Sequence, residues 1–287
     1  MMRKKPMLAY PVSDKPINYD NDVFMQPKLD GVRCVIQYEK HINKSENRVV
    51  AYSRTGKEWK NIYHILRHLV PFFQKYPNVI LDGELYNHAF KDDFESIISM
   101  VRKQKPTMQD RLKSAENVQF HCYDIVDETM TFEQRNDFIK QAVPNNHCIK
   151  HVETRLTPDE HDAKLTHGIN LANGYEGSIV RTNDGYQCKR SHNLRKFKDF
   201  SDAEATIVGY LDGKGKRTGT LGKFIMMDDN GVEFGCPPGK GYNYNQLADI
   251  LNNIGDYIGQ RATFTFFERT KAGSYRHPLF KCIRNYE

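Results

Sequence analysis

Residues 27–33 read PKLDGVR, which puts a lysine, an aspartate, a glycine and an arginine into one short stretch. Lys28 and Asp30 point to the same side if the chain is extended. A lysine amine attacks phosphorus once it has lost its proton, which desolvation and neighbouring cations favour. Asp30 can serve a metal or a hydroxyl proton, Gly31 lets backbone approach a nucleotide, and Arg33 can grip a phosphate through two parallel hydrogen bonds. Five further fragments extend the set. Arg54 lies in SRTGKEW, Glu84 in LDGELY, Tyr123 in CYDIVD, Glu176 in YEGSIVR, and Lys196 and Lys198 in LRKFKDF. Any one of them has a plain structural reading as a strand-end acid, a core aromatic or an exposed strand face. Together they supply a nucleophilic amine, two metal-binding carboxylates, an aromatic platform and paired lysines for an α-phosphate. Phosphoryl and nucleotidyl transfer need mainly positioning and charge neutralisation, which this set provides.

The elements that must position these residues follow from periodicity. Up to about residue 200, strand-like and helix-like stretches alternate. VIQYEK, RVVAYS, NVILDGELY, VQFHCYDIV and GSIVRT read as strands. Trp59, Ile62, Leu66, Leu69 and Val70 recur at helical spacing and predict a helix that ends at Pro71. Phe94, Ile97, Ile98 and Val101 predict a second helix over 93–103. Thr131 with Gln134, and Thr157 with Glu160 and Pro158, predict two capped helix starts, and Gly174 a stop. Beyond residue 200, EATIVGYLD, KFIMMDD, VEFGC, RATFTFFER and HPLFKCIR are short strands around one helix carrying Leu247, Ile250, Leu251 and Ile254. Asn230-Gly231 marks a tight turn. Five strands and one helix suit an OB-type barrel, with an SH3-like barrel as the alternative. The reading is an α+β chain: residues 1–200 with antiparallel sheets and flanking helices, then a small β-barrel over 201–287.

Composition limits the classes of function. The chain has 287 residues and a net charge of +6, which suits a phosphate-rich partner without requiring one. Lys189, Arg190, Arg195, Lys196 and Lys198 fall within ten residues that hold no acid, either a solvated basic loop or a contact for phosphate. No apolar run reaches the roughly 18 residues of a membrane span, and no signal peptide is evident, so a cytoplasmic protein without a membrane partner is expected. The six cysteines show no zinc-knuckle or disulfide spacing. His64 and His68 lack the glutamate of a zinc-protease helix, and GTLGKF lacks the first glycine of a phosphate-binding loop, since Arg217 stands there.

The ordered fragments resemble the covalent nucleotidyltransferase superfamily of ligases and mRNA capping enzymes. SDAEATIVGYLDGKGKRTGTLGKF at 201–224 resembles the entry into the OB domain of ATP-dependent DNA ligases. The compact length is similar to that of the minimal viral and phage members, of the Chlorella virus kind. The resemblance covers nearly the whole chain. It implies an adenylyltransferase domain followed by an OB-fold domain, with ATP and Mg²⁺ (or Mn²⁺) as cofactors. The implied partner is nicked duplex DNA, bound by a monomer in DNA replication, repair or recombination. By motif, Lys28 accepts the adenylyl group and Asp30 assists. Gln26 lies beside the adenine and Tyr123 stacks on it. Arg33 and Arg54 contact ribose, the nick phosphate or the terminal hydroxyl. Glu84 binds ribose or metal, and Glu176 metal. Lys196 and Lys198 hold the α-phosphate, and Arg190 resembles a contact to the 5′-phosphate. Arg181 replaces a lysine found in many relatives.

The C-terminal RHPLFKCIR departs from the Arg-x-Asp-Lys of larger members. Arg276 and Arg284 are the residues placed there to meet pyrophosphate or DNA. Only 27 residues precede Lys28, so ATP is expected rather than NAD, and no separate DNA-binding domain is expected. The rival readings are an RNA ligase or capping guanylyltransferase using the same lysine, and a non-catalytic nick-binding OB protein.

Overall fold

The structure is a computed structural model that describes residues 4–39, 48–91, 93–197, 201–239, 241–270 and 272–284. Lys198, one of the two expected phosphate lysines, lies outside the described residues. The chain divides into two compact units, Met1–Lys198 and Asp199–Glu287.

Among the described residues, the first unit contains ten strands: β1 (Leu8–Pro11), β2 (Val23–Lys28), β3 (Val32–Glu39), β4 (Arg48–Tyr52), β5 (Ile80–Tyr86), β6 (Gln119–Ile125), β7 (Ile149–His151), β8 (Arg155–Leu156), β9 (Gly177–Thr182) and β10 (Arg190–Phe197). Five α-helices join them: α1 (Tyr63–Lys75), α2 (Phe94–Val101), α3 (Met108–Asn117), α4 (Phe132–Ala142) and α5 (Glu160–Ala172). The strands form two sheets, ordered β1-β10-β9-β2-β8 and β4-β3-β5-β6-β7. All pairs are antiparallel except β1 with β10 and β6 with β7. The larger core lies under the second sheet, where Ile36, Leu81, Leu85 and Phe120 pack against Ile65, Leu69 and Phe73 of α1 and Ile97 and Val101 of α2. A smaller core joins Val23, Met25 and Val180 of the first sheet to Ala163 of α5.

Two helix boundaries differ from expectation. α1 starts at Tyr63 and runs through Pro71 to Lys75. Arg67 and Pro71 both face outward, so the carbonyl four residues before the proline turns to the exposed side, where loss of its helix bond costs least. Phe72 and Phe73, buried immediately after it, reward continuation. At α5 the cap is Asp159, whose side chain accepts from the Asp162 backbone N–H. Thr157 is instead buried. The Thr131–Gln134 capping box is present. Gly174, at φ +81°, follows the end of α5, a conformation that excludes most side chains.

The second unit contains β11 (Ser201–Asp212), β12 (Leu221–Met227), β13 (Glu233–Cys236), β14 (Arg261–Phe266), β15 (Glu268–Arg269), β16 (Tyr275–Arg276), β17 (Leu279–Ile283) and α6 (Tyr244–Asn252). Five of these strands form an antiparallel sheet ordered β13-β12-β11-β14-β17. The hydrogen-bonded ladder is open rather than a closed barrel, although one isolated bridge, Pro238 to Phe280, links its two edges. Phe224, Phe264, Phe280, Leu247 and Ile250 fill its core. GTLGKF leads from a turn into β12.

Candidate active site

The candidate site is a cavity of about 250 Å³ between the two sheets of the first unit. Strand alternation sets one wall. Gln26 and Lys28 of β2, Ile179 and Arg181 of β9, and Leu194 and Lys196 of β10 are each two residues apart, so each pair shares a face. Register then sets rows across the strands. Gln26 and Lys196 both pair with Ile179, while Lys28 pairs with Gly177. Arg33 of β3, Glu84 of β5 and Tyr123 of β6 form the opposite wall, and Arg54 lies at the rim.

Lys28 Nζ is ion-paired to Glu176 Oε2, with both side chains largely shielded, 21% and 6% exposed. The Glu176 backbone N–H donates to the Lys28 carbonyl at 3.1 Å, so strand pairing fixes the carboxylate beside the amine. The neighbour seen at the amine is thus an anion, where the sequence pointed to cations. Asp30 sits in the half-buried turn after β2. Gly31 is needed there, because a Cβ would meet the Leu85 carbonyl oxygen at 2.5 Å.

Tyr123 owes its position to a bulge. Asp82 pairs with Asp124 and Gly83 with Cys122, which leaves Tyr123 as the extra residue of β6. Its hydroxyl donates to Glu84 Oε2 at 3.2 Å. The Arg33 and Arg181 guanidinium carbons lie 5.3 and 5.5 Å from its ring centroid. Burial, opposed by Arg33 and Lys28, pushes the Glu84 carboxyl up to about 7.

A layer of buried charge holds these groups. Arg33 Nε and Nη2 donate to Asp82 at 2.6 and 2.5 Å, and Nη2 also to the Met7 carbonyl at 3.1 Å. Burial works against the Arg33 charge, yet the Asp82 carboxylate keeps its pKa well above the ordinary value. Tyr186 donates to Asp82 at 2.7 Å and accepts from the Met7 N–H at 2.7 Å. Asp124 accepts from Arg135 Nε at 2.7 Å and from Arg181 Nη1 at 2.5 Å. Arg181 Nε also donates to Gln26 Oε1 at 2.8 Å, and Gln26 Nε2 donates to Thr154 Oγ1 at 2.9 Å and to the Tyr123 carbonyl at 3.2 Å. Gln26 lines the cavity with both ends of its amide engaged by protein.

The structure therefore brings Gln26, Lys28, Arg33, Arg54, Glu84, Tyr123 and Lys196 around one cavity, with Glu176 bonded to its lysine. Arg190 stands apart on the exposed side, bonded to the Ala9 carbonyl and 5.6 Å from the Tyr10 ring centroid. The basic run is partly structural, since Arg195 donates to the Lys15, Pro16 and His192 carbonyls. In the second unit Arg276 lies 5.8 Å from the Phe267 ring centroid, and Arg284 Nε pairs with Glu204 at 2.8 Å.

Sequence reasoning missed Asp82, Asp124, Arg135 and Tyr186, and gave Arg181 no role. The available signal was an acid at the centre of an apolar strand, as in ILDGE and YDIV, which demands a buried partner. A second, open groove of about 660 Å³ adjoins the cavity through Arg33, Arg54 and Glu84. Its lining includes Lys57, Arg102, Trp59 and Phe94. Among the described residues, no helix is long and apolar enough to cross a membrane.

The ATP dependent DNA ligase domain family matches residues 6–198, and the DNA ligase OB-like domain family matches residues 212–284. A DNA ligase of African swine fever virus (isolate Pig/Kenya/KEN-50/1950) is 29% identical over 222 residues, which is 70% of this chain and 48% of that protein. The chain thus spans about half the length of that relative. A DNA ligase of Haemophilus influenzae is 26% identical over 285 residues, covering 96% of this chain and 90% of the other. A solved structure of a minimal-scaffold Lig E DNA ligase shares the fold, with a TM-score of 0.75 at 22% identity, covering 99% of this chain and all of the other.

Proposed function

The chain belongs to the ATP-dependent DNA ligase family, and from that premise we propose that it seals 3′-hydroxyl/5′-phosphate nicks in duplex DNA through a covalent AMP on Lys28. The observation that carries this reading is Lys28 bonded to Glu176 at the wall of a cavity that also presents Tyr123, Glu84 and Lys196.

In the first step Lys28 Nζ forms a bond to the α-phosphorus of ATP and the bond to pyrophosphate breaks. The amine sheds its proton, for which Glu176 is the acceptor in contact. A 5′-phosphate oxygen of the nick then displaces Lys28 from that phosphorus, and the lysine recovers a proton. Finally the 3′-hydroxyl attacks the 5′-phosphorus and AMP departs. The cavity holds the base and sugar, with the base against Tyr123. Lys196 meets the α-phosphate, and Lys198 is assigned with it by motif. Gln26 acts by fixing the Arg181 side chain and the Tyr123 backbone. Arg33, its fork taken by Asp82, steadies the Tyr123 ring and shares ribose or nick contacts with Arg54. The basic groove with Arg54, Lys57 and Arg102 suits the strands at the nick, and Arg190 the 5′-phosphate side. Asp30 assists at the turn after Lys28. Arg276 and Arg284 are assigned to pyrophosphate or DNA.

Glu84 and Glu176 are hard oxygen donors and fit Mg²⁺ or Mn²⁺. A carboxyl pushed up to about 7 at Glu84 is also one that a cation would favour in its ionised form. Such an ion would supply positive charge to the phosphates. We assign the two compact units to adenylation and to the OB role, and propose a monomer acting in replication or repair.

Incubation with α-labelled ATP and Mg²⁺ is expected to label the wild type and not Lys28→Ala. Labelling by GTP in place of ATP would move the assignment to capping. Preferential sealing of nicked RNA would move it to RNA ligation. Tight nick binding without any labelling would make it a binding protein.

A further inference from the structure

At one end of the second sheet of the first unit, three side chains from two segments converge, none of them lining the cavity. His68 lies on the exposed face of α1, and His147 and Cys148 immediately precede β7. One donor atom from each lies within 4.8 Å of the other two. His68 Nδ1 is 3.7 Å from Cys148 Sγ, and the two imidazole rings meet edge to face with centroids 5.1 Å apart. A tetrahedral zinc ion bound through nitrogen and thiolate sulfur holds those donors roughly 3.6 Å apart.

The segments that carry these donors are held from outside the cluster. Asn146 Oδ1 accepts from the N–H groups of Cys148 and Ile149, both at 3.0 Å. The His147 carbonyl accepts from Gln119 Nε2 at 3.1 Å, and the Cys148 carbonyl from the Phe120 N–H at 2.8 Å. His68 Nδ1 donates to the His64 carbonyl at 2.9 Å, and the His64 ring is itself bonded to the Val118 carbonyl at 2.9 Å. A backbone carbonyl on one ring nitrogen is a common way of fixing the tautomer of a metal-ligating histidine. The 3.7 Å contact to Cys148 is made by Nδ1, so coordination in that geometry exchanges the His64 carbonyl for the ion, while the present tautomer leaves the lone pair on Nε2.

We propose that His68, His147 and Cys148 form a binding site for a borderline-soft divalent ion of the Zn²⁺ class, with its remaining position open to solvent. The donor set separates it from the proposed catalytic ion, since one thiolate and two imidazoles select Zn²⁺ over Mg²⁺. Burial raises the Cys148 thiol above its ordinary pKa, so the ion enters by displacing a proton. Once bound, it would clip α1 to the segment before β7, the strand that pairs with the start of β6.

The test uses the full chain, stripped with a chelator and kept reduced. Titration with Co²⁺ as an optical stand-in for Zn²⁺ is expected to give a thiolate-to-cobalt charge-transfer band at one equivalent, bleached by Zn²⁺. Cys148→Ser should remove the band while the metal-free protein keeps its circular dichroism and a cooperative melt, at a lower midpoint because the site is buried. His68→Ala and His147→Ala should each weaken binding more than about tenfold, the lower end of what even an outer-shell change costs. No band in the wild type, a band that persists in Cys148→Ser, or histidine variants that bind as well as wild type would overturn the proposal.

Discussion

The two units bury charge to different depths: the first buries both sides of its central pairs, whereas the buried Asp228 of the second pairs with an Arg269 that stays half exposed. Beneath the cavity of the first, Asp124 and the two arginines it joins are almost fully buried, with side chains 0–3% exposed. In the second, Lys281–Asp202 and Arg284–Glu204 lie at the surface, their basic partners about half exposed. Taking charge out of water is costly, and partners must then be complete and fixed. The first unit meets that cost where strands from two sheets must hold a lysine, an aromatic ring and a carboxyl around one small cavity. The surface pairs of the second unit keep their basic partners in water, where geometry is held less tightly. Buried pairs define a site; exposed pairs leave a surface adaptable.

The sharpest way to break this contrast is to remove the shared carboxylate. Asp124→Asn leaves Arg135 and Arg181 buried against a neutral amide. Loss of one partner of a buried pair costs about 3–5 kcal/mol, so a large drop in the urea midpoint is expected. Arg181 also anchors Gln26 and faces Tyr123, so nucleotide labelling should fall as well. A midpoint within error of wild type would mean that the network does not hold the site.

Tyr186→Phe probes the same layer more gently. It removes a donor to Asp82 and strands the buried Met7 N–H. An unsatisfied buried donor costs about 1–3 kcal/mol, again readable by urea unfolding. The N-terminal segment should become more susceptible to limited proteolysis, because Met7 is tied here and through its carbonyl to Arg33.

These residues also mark how far the sequence could be read. The chemistry-bearing groups were legible because a lysine two residues before an aspartate, or a glutamate inside a buried strand, is unusual for packing alone. The strands that carry them were legible from alternation. The supporting layer was not, because Arg33 meets Asp82 across 49 residues and Arg181 meets Gln26 across 155. Pairing at such separations is set by sheet register, which local pattern does not encode. The bulge at Tyr123 was hidden for the same reason. Helix ends failed where burial outweighed a local rule: Phe72 and Phe73 carry α1 past Pro71. α3 went unnamed because its residues are polar and only Ser114 is buried.

Glu84 offers a pH-dependent comparison. Its carboxyl is pushed up to about 7 by burial, above the ordinary range near 4.5. The folded chain therefore holds this proton more tightly than the unfolded chain. Its contribution to stability is full below the ordinary carboxyl pKa, and it is lost as pH rises through 7. Glu84→Gln removes the burial cost of the charge and should stabilise the metal-free protein at pH 8 by about 1–3 kcal/mol. The gain should vanish near pH 4. If Glu84 binds the catalytic cation as proposed, the same variant should raise the Mg²⁺ concentration needed for labelling. Higher stability without a changed Mg²⁺ requirement would assign Glu84 to the ribose instead.

The smallest effect belongs to the second unit. Lys281 pairs with Asp202 at 2.8 Å, and both side chains are about half exposed. Such a pair gains little in water, orders two mobile side chains and is screened by salt. Lys281→Ala is therefore expected to leave the urea midpoint unchanged at any ionic strength. Its effect should appear only in binding to nicked duplex, as a shallower dependence of affinity on salt if Lys281 releases a DNA counterion. A clear loss of stability would show that the surface pairs of the second unit are as structural as those beneath the cavity, and would erase the contrast between the two units.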